Sequence, residues 1–300
     1  MGTKRDEIPT STLPRRQLGR FLRDARSAAG LTIVRASALT DLSPAGLQRI
    51  ESGRVQKVRK QDVRALCELY HIGARDTRRA VTLAEQARER SWYSDFGNLF
   101  DETFGLYLDL ESAAQQMICY NEHIPGLLQT DDYAEAMIGA CHDRVPEEEL
   151  EQRLELRLKR QSLLTRKKLP LTLDVLLHES ALYRLVGNAE LMAAQLRHLD
   201  KFAALPNVSL RVHPYRAGLT WGILHGPFVI LSFRPDPKGG SPEPSIVYRE
   251  GAPSSDIYIE RPDEVDRYTE LSAAIRAMAL TESETRDLLR QVAKEYDHEH

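Results

Sequence analysis

Apolar residues recur every three to four positions through the first ninety residues, and every second position at several places further on. The first spacing is that of an amphipathic helix, the second that of a half-buried strand. Leu18, Phe21, Leu22 and Ala25 make the stripe of a helix predicted over 14–29, with Gly30 as its stop. Thr32 is placed to cap a short second helix that ends near Leu39 and turns Ala36 and Ser37 inward. Asp41 falls in a turn where a positive φ is often needed, and Leu42 plugs the core before the next helix. Over 43–51, Ser43 is a good N-cap and Pro44 suits the first helical position, where its missing N–H costs nothing. Leu47 and Ile50 point to one side of this helix and leave Pro44, Ala45, Gln48 and Arg49 on the other. A basic loop with Arg54, Lys57, Arg59 and Lys60 follows. A fourth helix over 61–70 buries Val63, Leu66 and Tyr70, and a fifth over 75–89 carries the thinner stripe Ala80, Leu83, Ala84 and Ala87.

Beyond residue 90 the pattern changes. Trp92, Tyr93, Phe96 and Phe100 mark a polar-aromatic linker over 91–105, where the rings pack a junction. Leu106, Leu108 and Leu110 alternate with Tyr107 and Asp109 and predict a strand, and 116–120 a second. The turn at 124–130 delivers Leu127 and Leu128 to a core, and Thr130 or Asp131 caps a helix through Tyr133 and Met137. A long charged helix spans 146–164, with Glu147, Glu148 and Glu149 at its start and Arg160, Arg166, Lys167 and Lys168 towards its end, as the helix dipole prefers. Strands are predicted over 171–177, 208–212, 228–233 and 246–249. Helices are predicted from His178 to a break at Gly187 and Asn188, over 191–205, over 263–280, and over 288–296 behind a capping box formed by Thr281 and Glu284. The Pro- and Gly-rich stretch 235–244 is a hairpin loop. The fold class is therefore mainly α with an α+β C-terminal domain. Its parts are a disordered arm over 1–13, a five-helix head over 14–90, a linker over 91–105 and a mixed α+β domain over 106–297.

Charge sharpens this division. The 300 residues carry a net charge of −3, yet residues 1–90 hold 19 Lys/Arg against 10 Asp/Glu, and the remainder is strongly acidic. A basic head joined to an acidic body points to a polyanion-binding module coupled to something else. An exposed Gln next to Arg on a short helix suits the major groove, where Gln pairs with adenine and Arg with guanine. Lys4 and Arg5 of the arm have the charge to reach a minor groove, although an unstructured tail is the simpler reading. Three scattered cysteines, Cys67, Cys119 and Cys141, give no disulfide framework. No apolar run is long enough for a membrane helix and no leader pattern opens the chain, so a cytoplasmic location is expected.

Motifs for catalysis and cofactors are missing. There is no His-Glu-x-x-His, no Walker loop and no Gly-x-Gly-x-x-Gly. His178, Glu179 and Ser180 lack a nucleophile elbow. No catalytic residue, metal or cofactor is expected. His213 and His225 flank a loop, 214–226, that contains Trp221 and is either an ordinary turn between strands or the lining of a small-molecule pocket. Arg153, Arg157 and Arg160 share one stripe of the charged helix, either holding an acidic partner or paired along a solvated face, as Glu149 with Arg153.

The stretch LGRFLRDARSAAGLTIVRASALTDLSPAGLQRIESGR resembles the Xre/Cro-type, lambda-repressor-like helix-turn-helix, most closely at Ile50–Gly53. It departs from that pattern at Ile33, where a phosphate-contacting Gln is usual, and at Asp41, where Gly is usual. IPGLLQTDDYAEAM, RLELRLKRQ, LHESALYRLVG, PNVSLRVHPYRAG and LTESET resemble, in order, the C-terminal domain of the Scr1-type (WhiJ-like) actinobacterial developmental regulators. The resemblance implies a transcription regulator in the cytoplasm, at the nucleoid, that works with a small BldB-like or related acidic partner protein. The expected DNA contacts are Thr32, Ser43, Pro44, Ala45, Gln48, Arg49, Arg54, Lys57 and Arg59 on double-stranded DNA, with a homodimer spanning two half-sites. Arg153, Arg157, Arg160, Tyr133 and Trp221 are the expected partner or effector contacts. Two other readings stay open: an antitoxin-like protein that sequesters a small partner, and a small-molecule-sensing regulator.

Overall fold

A computed structural model describes residues 12–55, 57–89, 91–97, 99–100, 102–141, 145–234, 243–251 and 255–298. The chain divides into two compact units, 1–110 and 111–300.

The first unit is a helical bundle: α1 (Thr12–Ala28), α2 (Ile33–Ala38), α3 (Pro44–Glu51), α4 (Lys60–Leu69) and α5 (Ala74–Gln86). α1 begins at Thr12, two residues before the expected start; the rest of the expected arm lies outside the described residues. Gly30 stops α1 in the left-handed region, φ +68°, where a side chain would be strained. Leu18 and Leu22 of α1 meet Leu47 and Ile50 of α3 and Val63 and Leu66 of α4 in one core, with Leu42 packed at its margin. Asp41 does not take the positive φ expected of it. Among the described non-glycine residues only His71 and Leu169 do, and Thr40 instead ties the end of α2 by a hydroxyl bond to the Ala36 carbonyl at 3.1 Å.

The residues after α5 are packed rather than extended. Tyr93, Phe96 and Leu99 are buried, and Tyr93, Phe100, Phe104 and Tyr107 form a chain of ring contacts with centroids 5.3–5.7 Å apart. Tyr93 donates its hydroxyl to Asp109 at 3.2 Å. The strand expected at 106–110 is instead the middle of α6 (Glu102–Ala113). Tyr107, Leu108, Asp109 and Leu110 are all buried, so α6 is covered around most of its circumference. A helix of that kind has no single apolar stripe, and three leucines at alternate positions satisfy either period.

The second unit is mixed α+β around a six-stranded sheet of order β3-β2-β1-β4-β5-β6. Its strands are β1 (Gln116–Asn121), β2 (Thr172–His178), β3 (Val208–His213), β4 (Phe228–Ser232), β5 (Ile246–Arg249) and β6 (Ile257–Ile259). β1, β2 and β3 run parallel, which needs the long helical crossovers α7 (Asp131–Cys141), α8 (Glu147–Thr165), α9 (Ser180–Tyr183) and α10 (Ala189–Phe202). β4, β5 and β6 add antiparallel on the other side of β1. Tyr120, Leu176, Phe228, Ile230 and Val247 turn one face of the sheet towards Val265, Leu271 and Ile275 of α11 (Pro262–Met278). α12 (Glu282–His298) starts on the capping box, six residues earlier than predicted, with the Thr281 N–H donating to Glu284 at 2.8 Å.

The expected helix start at 178–180 yields only the four residues of α9, and β6 was not foreseen. Three residues hold too little periodicity to register. Most of the expected hairpin loop, 235–242, lies outside the described residues. Among the described residues no helix is long and apolar enough to cross a membrane.

Candidate nucleic-acid interface

The Ser43 hydroxyl accepts from the Gly46 N–H at 3.0 Å and closes the first turn of α3. Pro44 sits at the start of the helix, and Leu47 and Ile50 anchor it in the core. Pro44, Ala45, Gln48 and Arg49 are left exposed on the opposite side. The first turn of this side carries only small side chains, and Gln48 and Arg49 stand exposed beyond it. Thr32 caps α2 by accepting from the Arg35 N–H at 3.1 Å and is exposed. Arg54, Lys57 and Arg59 are exposed around the turn that follows α3, with the freedom that phosphate contacts require. Ile33, at the position of the usual phosphate-contacting Gln, is instead half-buried against the bundle core.

What fixes the direction of α3 is a feature the sequence reading passed over. Glu51, its last residue, is only 5% exposed. Arg26 of α1 donates to both of its carboxylate oxygens, at 2.7 and 2.9 Å, and a third time to the Leu31 carbonyl at 2.6 Å. This fork joins α1, the α1–α2 turn and α3 through one guanidinium. Donating to the Glu51 carboxylate holds the Arg26 pKa above its ordinary value. Burial, with the Glu51 charge behind it, pushes the nearby Tyr70 phenol up to about 12. A signal was present: Glu51 follows Leu47 by four residues, and Arg26 follows Leu22 by four, so both charges lie on apolar stripes.

Gly19 is the second missed residue. A Cβ there would meet the backbone oxygens of Ile50 and Glu51 at 2.6 and 2.7 Å. α1 therefore crosses the end of α3 backbone to backbone, and no side chain can yield. Gly19→Ala is expected to destabilise the head by about 1–3 kcal/mol, as overpacking does, and to weaken DNA binding as α3 tilts. An unchanged denaturation midpoint for the variant would disprove this.

In the second unit the charged helix α8 spends its arginines internally. Arg153 donates to Glu149 at 2.7 Å, and Arg157 donates to Gln129. Arg160 forks onto Glu111 at 2.8 and 2.9 Å. Tyr133 is buried, whereas Trp221 is exposed. His178 Nδ1 lies 2.8 Å from the Ser180 hydroxyl and also accepts the Ser180 N–H at 3.3 Å, which is a local turn at the end of β2.

Residues 104–291 match a family described as a domain of unknown function (DUF5753), and residues 17–81 match one described as a helix-turn-helix domain. No curated protein and no solved structure matches the chain.

Proposed function

The chain belongs to the DUF5753 family and carries a helix-turn-helix domain at its head, and on that premise we propose that it is a sequence-specific DNA-binding transcription regulator. The observation that carries this reading is the outward side of α3. Gln48 and Arg49 are exposed on a helix held by a buried ion pair and by a backbone crossing at Gly19. In this reading Ser43, Pro44, Ala45, Gln48 and Arg49 face base edges, while Thr32, Arg54, Lys57 and Arg59 hold phosphates. One head of this size makes few contacts, so two copies sit on half-sites one helical turn apart or a multiple of it. The resemblance to WhiJ-like regulators adds a C-terminal domain that dimerises or takes up a small acidic partner protein.

The test is a titration of the full chain against promoter DNA at several salt concentrations. Arg49→Ala is expected to lose about 1–3 kcal/mol on the cognate site and to relax discrimination. Lys57→Ala is expected to weaken binding to every sequence alike and to flatten the salt dependence by about one counterion. Equal affinity of the Arg49 variant and the parent on the cognate site would overturn the assignment.

A further inference from the structure

The carboxyl ends of β2 and β3 set two histidines side by side. His178 and His213 are the last paired residues of these parallel strands, so both rings leave the same side of the sheet. The rings lie with centroids 6.0 Å apart and planes 19° from parallel. His178 accepts the Ser180 N–H at its Nδ1, which places its proton on Nε2. His213 is 0% exposed. Its Nε2 lies 2.7 Å from the Thr220 hydroxyl, and its Nδ1 has no hydrogen-bond partner among the described residues. A second proton on His213 would bury a charge, add an N–H with no acceptor and set both against the neighbouring ring. Burial pushes the His213 imidazole below its ordinary value, and His178 adds to the effect.

Thr220 belongs to the loop that joins β3 to β4. Between Gly218 and Gly226 this loop shows Leu219, Trp221 and Leu224 to solvent. Both glycines hold a left-handed φ, +68° and +69°. A Cβ at Gly218 would meet nothing within 4 Å, and one at Gly226 only Nη2 of Arg249 at 3.8 Å. The backbone can therefore turn at these two ends without a clash. Between them the segment is held by Thr220 on His213, by Gly222 and Ile223 against α11, and by Arg249 on the His225 carbonyl. The acids around the pair are engaged elsewhere. Glu179 takes the Tyr215 N–H, and Asp174 is bound to Arg276 of α11. On α12, Glu282 takes the Ser209 hydroxyl and faces Arg211, while Glu284 takes Thr281 and feels Arg216. Among the described residues no carboxylate bonds to either imidazole, so none stands ready to balance a charge on His213.

We infer that His213 is a proton-operated latch on this loop: neutral, it holds Thr220 and the segment 219–225 against the sheet, and with a second proton it lets them go. A released ring reaches water and binds a proton more readily than the held one. The held state is therefore favoured above the ordinary histidine range and loses ground as the pH falls below about 6.5. The latch belongs to the second unit and stands whether or not the head binds DNA. Hydrogen exchange of the full chain, corrected for the intrinsic pH dependence of exchange, tests it between about pH 7.5 and about pH 5. Amides of the loop, Ile223 and Gly226 among them, are expected to lose protection by about tenfold or more, while β1 and β2 keep theirs. His213→Gln keeps a group that can bond Thr220 but takes up no proton, and its loop is expected to hold the same protection at both ends of the range. His178→Gln is expected to keep the transition and move it to higher pH, because one neighbour that opposes the proton is gone. Thr220→Val leaves the histidines in place and is expected to free the loop already at neutral pH. Parental loop protection that ignores pH overturns the inference, as does loss of protection throughout the sheet over the same range. A His213→Gln loop that still opens in acid, or a Thr220→Val loop protected like the parent's, overturns it equally.

Discussion

Glu51→Ala is expected to remove about 3–5 kcal/mol from the stability of the head, the cost of breaking a buried ion pair from one side. The Glu51 and Arg26 side chains are only 4% and 12% exposed. Alanine leaves the guanidinium in place, still bonded to the Leu31 carbonyl but without its counter-charge, and water cannot replace two forked bonds there. Domains are stable by about 5–15 kcal/mol, so the loss takes a large share. Hydrogen exchange on the full chain is the suitable probe, because it reports each unit separately. Protection is expected to collapse in α1 and α3 and to persist in the sheet. DNA affinity should fall with it, since the outward side of α3 is aimed by this pair. Full protection in α3 would refute the role given to Glu51.

Glu111→Ala is expected to cost the second unit about as much, roughly 3–5 kcal/mol, for the same reason. Glu111 is fully buried near the end of α6 and receives both bonds of the Arg160 fork from α8. The informative comparison is the double substitution Glu111→Leu with Arg160→Leu. Replacing both charges by apolar side chains is often near neutral, because the desolvation of two ions disappears with their attraction. Urea denaturation of the parent, both single variants and the double variant closes the cycle. A double variant as unstable as the worse single one would overturn the reading that the loss comes from a buried charge left without its partner.

Both predictions concern charges whose partners lie 25 and 49 positions away in the chain, and this marks where the sequence stops being readable. The helices of the head were legible because their causes are local. The Ser43 and Thr32 caps, Pro44 at a helix start, Gly30 at a helix stop and the Leu18–Leu22 stripe each act within a few residues. The same holds for β1, β2, β3 and β5, for the Asn188 cap of α10 and for the Thr281–Glu284 box. The failures follow the same logic. Residues 106–110 alternate like a strand, yet they form a helix because its surroundings cover nearly every side. Asp41 has a conformation that its type does not dictate.

The sequence by itself therefore determined where most helices and strands run, which side of α3 faces inward, and that a basic head precedes an acidic body. Periodicity and capping suffice for that, since each depends on neighbours within a turn or two of chain. Only the tertiary structure decided that Glu51 and Glu111 are buried ions, that Gly19 is a crossing point, that β4 pairs with β1 across from β2, and that Leu219, Trp221 and Leu224 face out. Burial of a charge or exposure of a leucine is set by whatever segment arrives from far along the chain. That arrival is a property of packing in three dimensions, which no local pattern encodes.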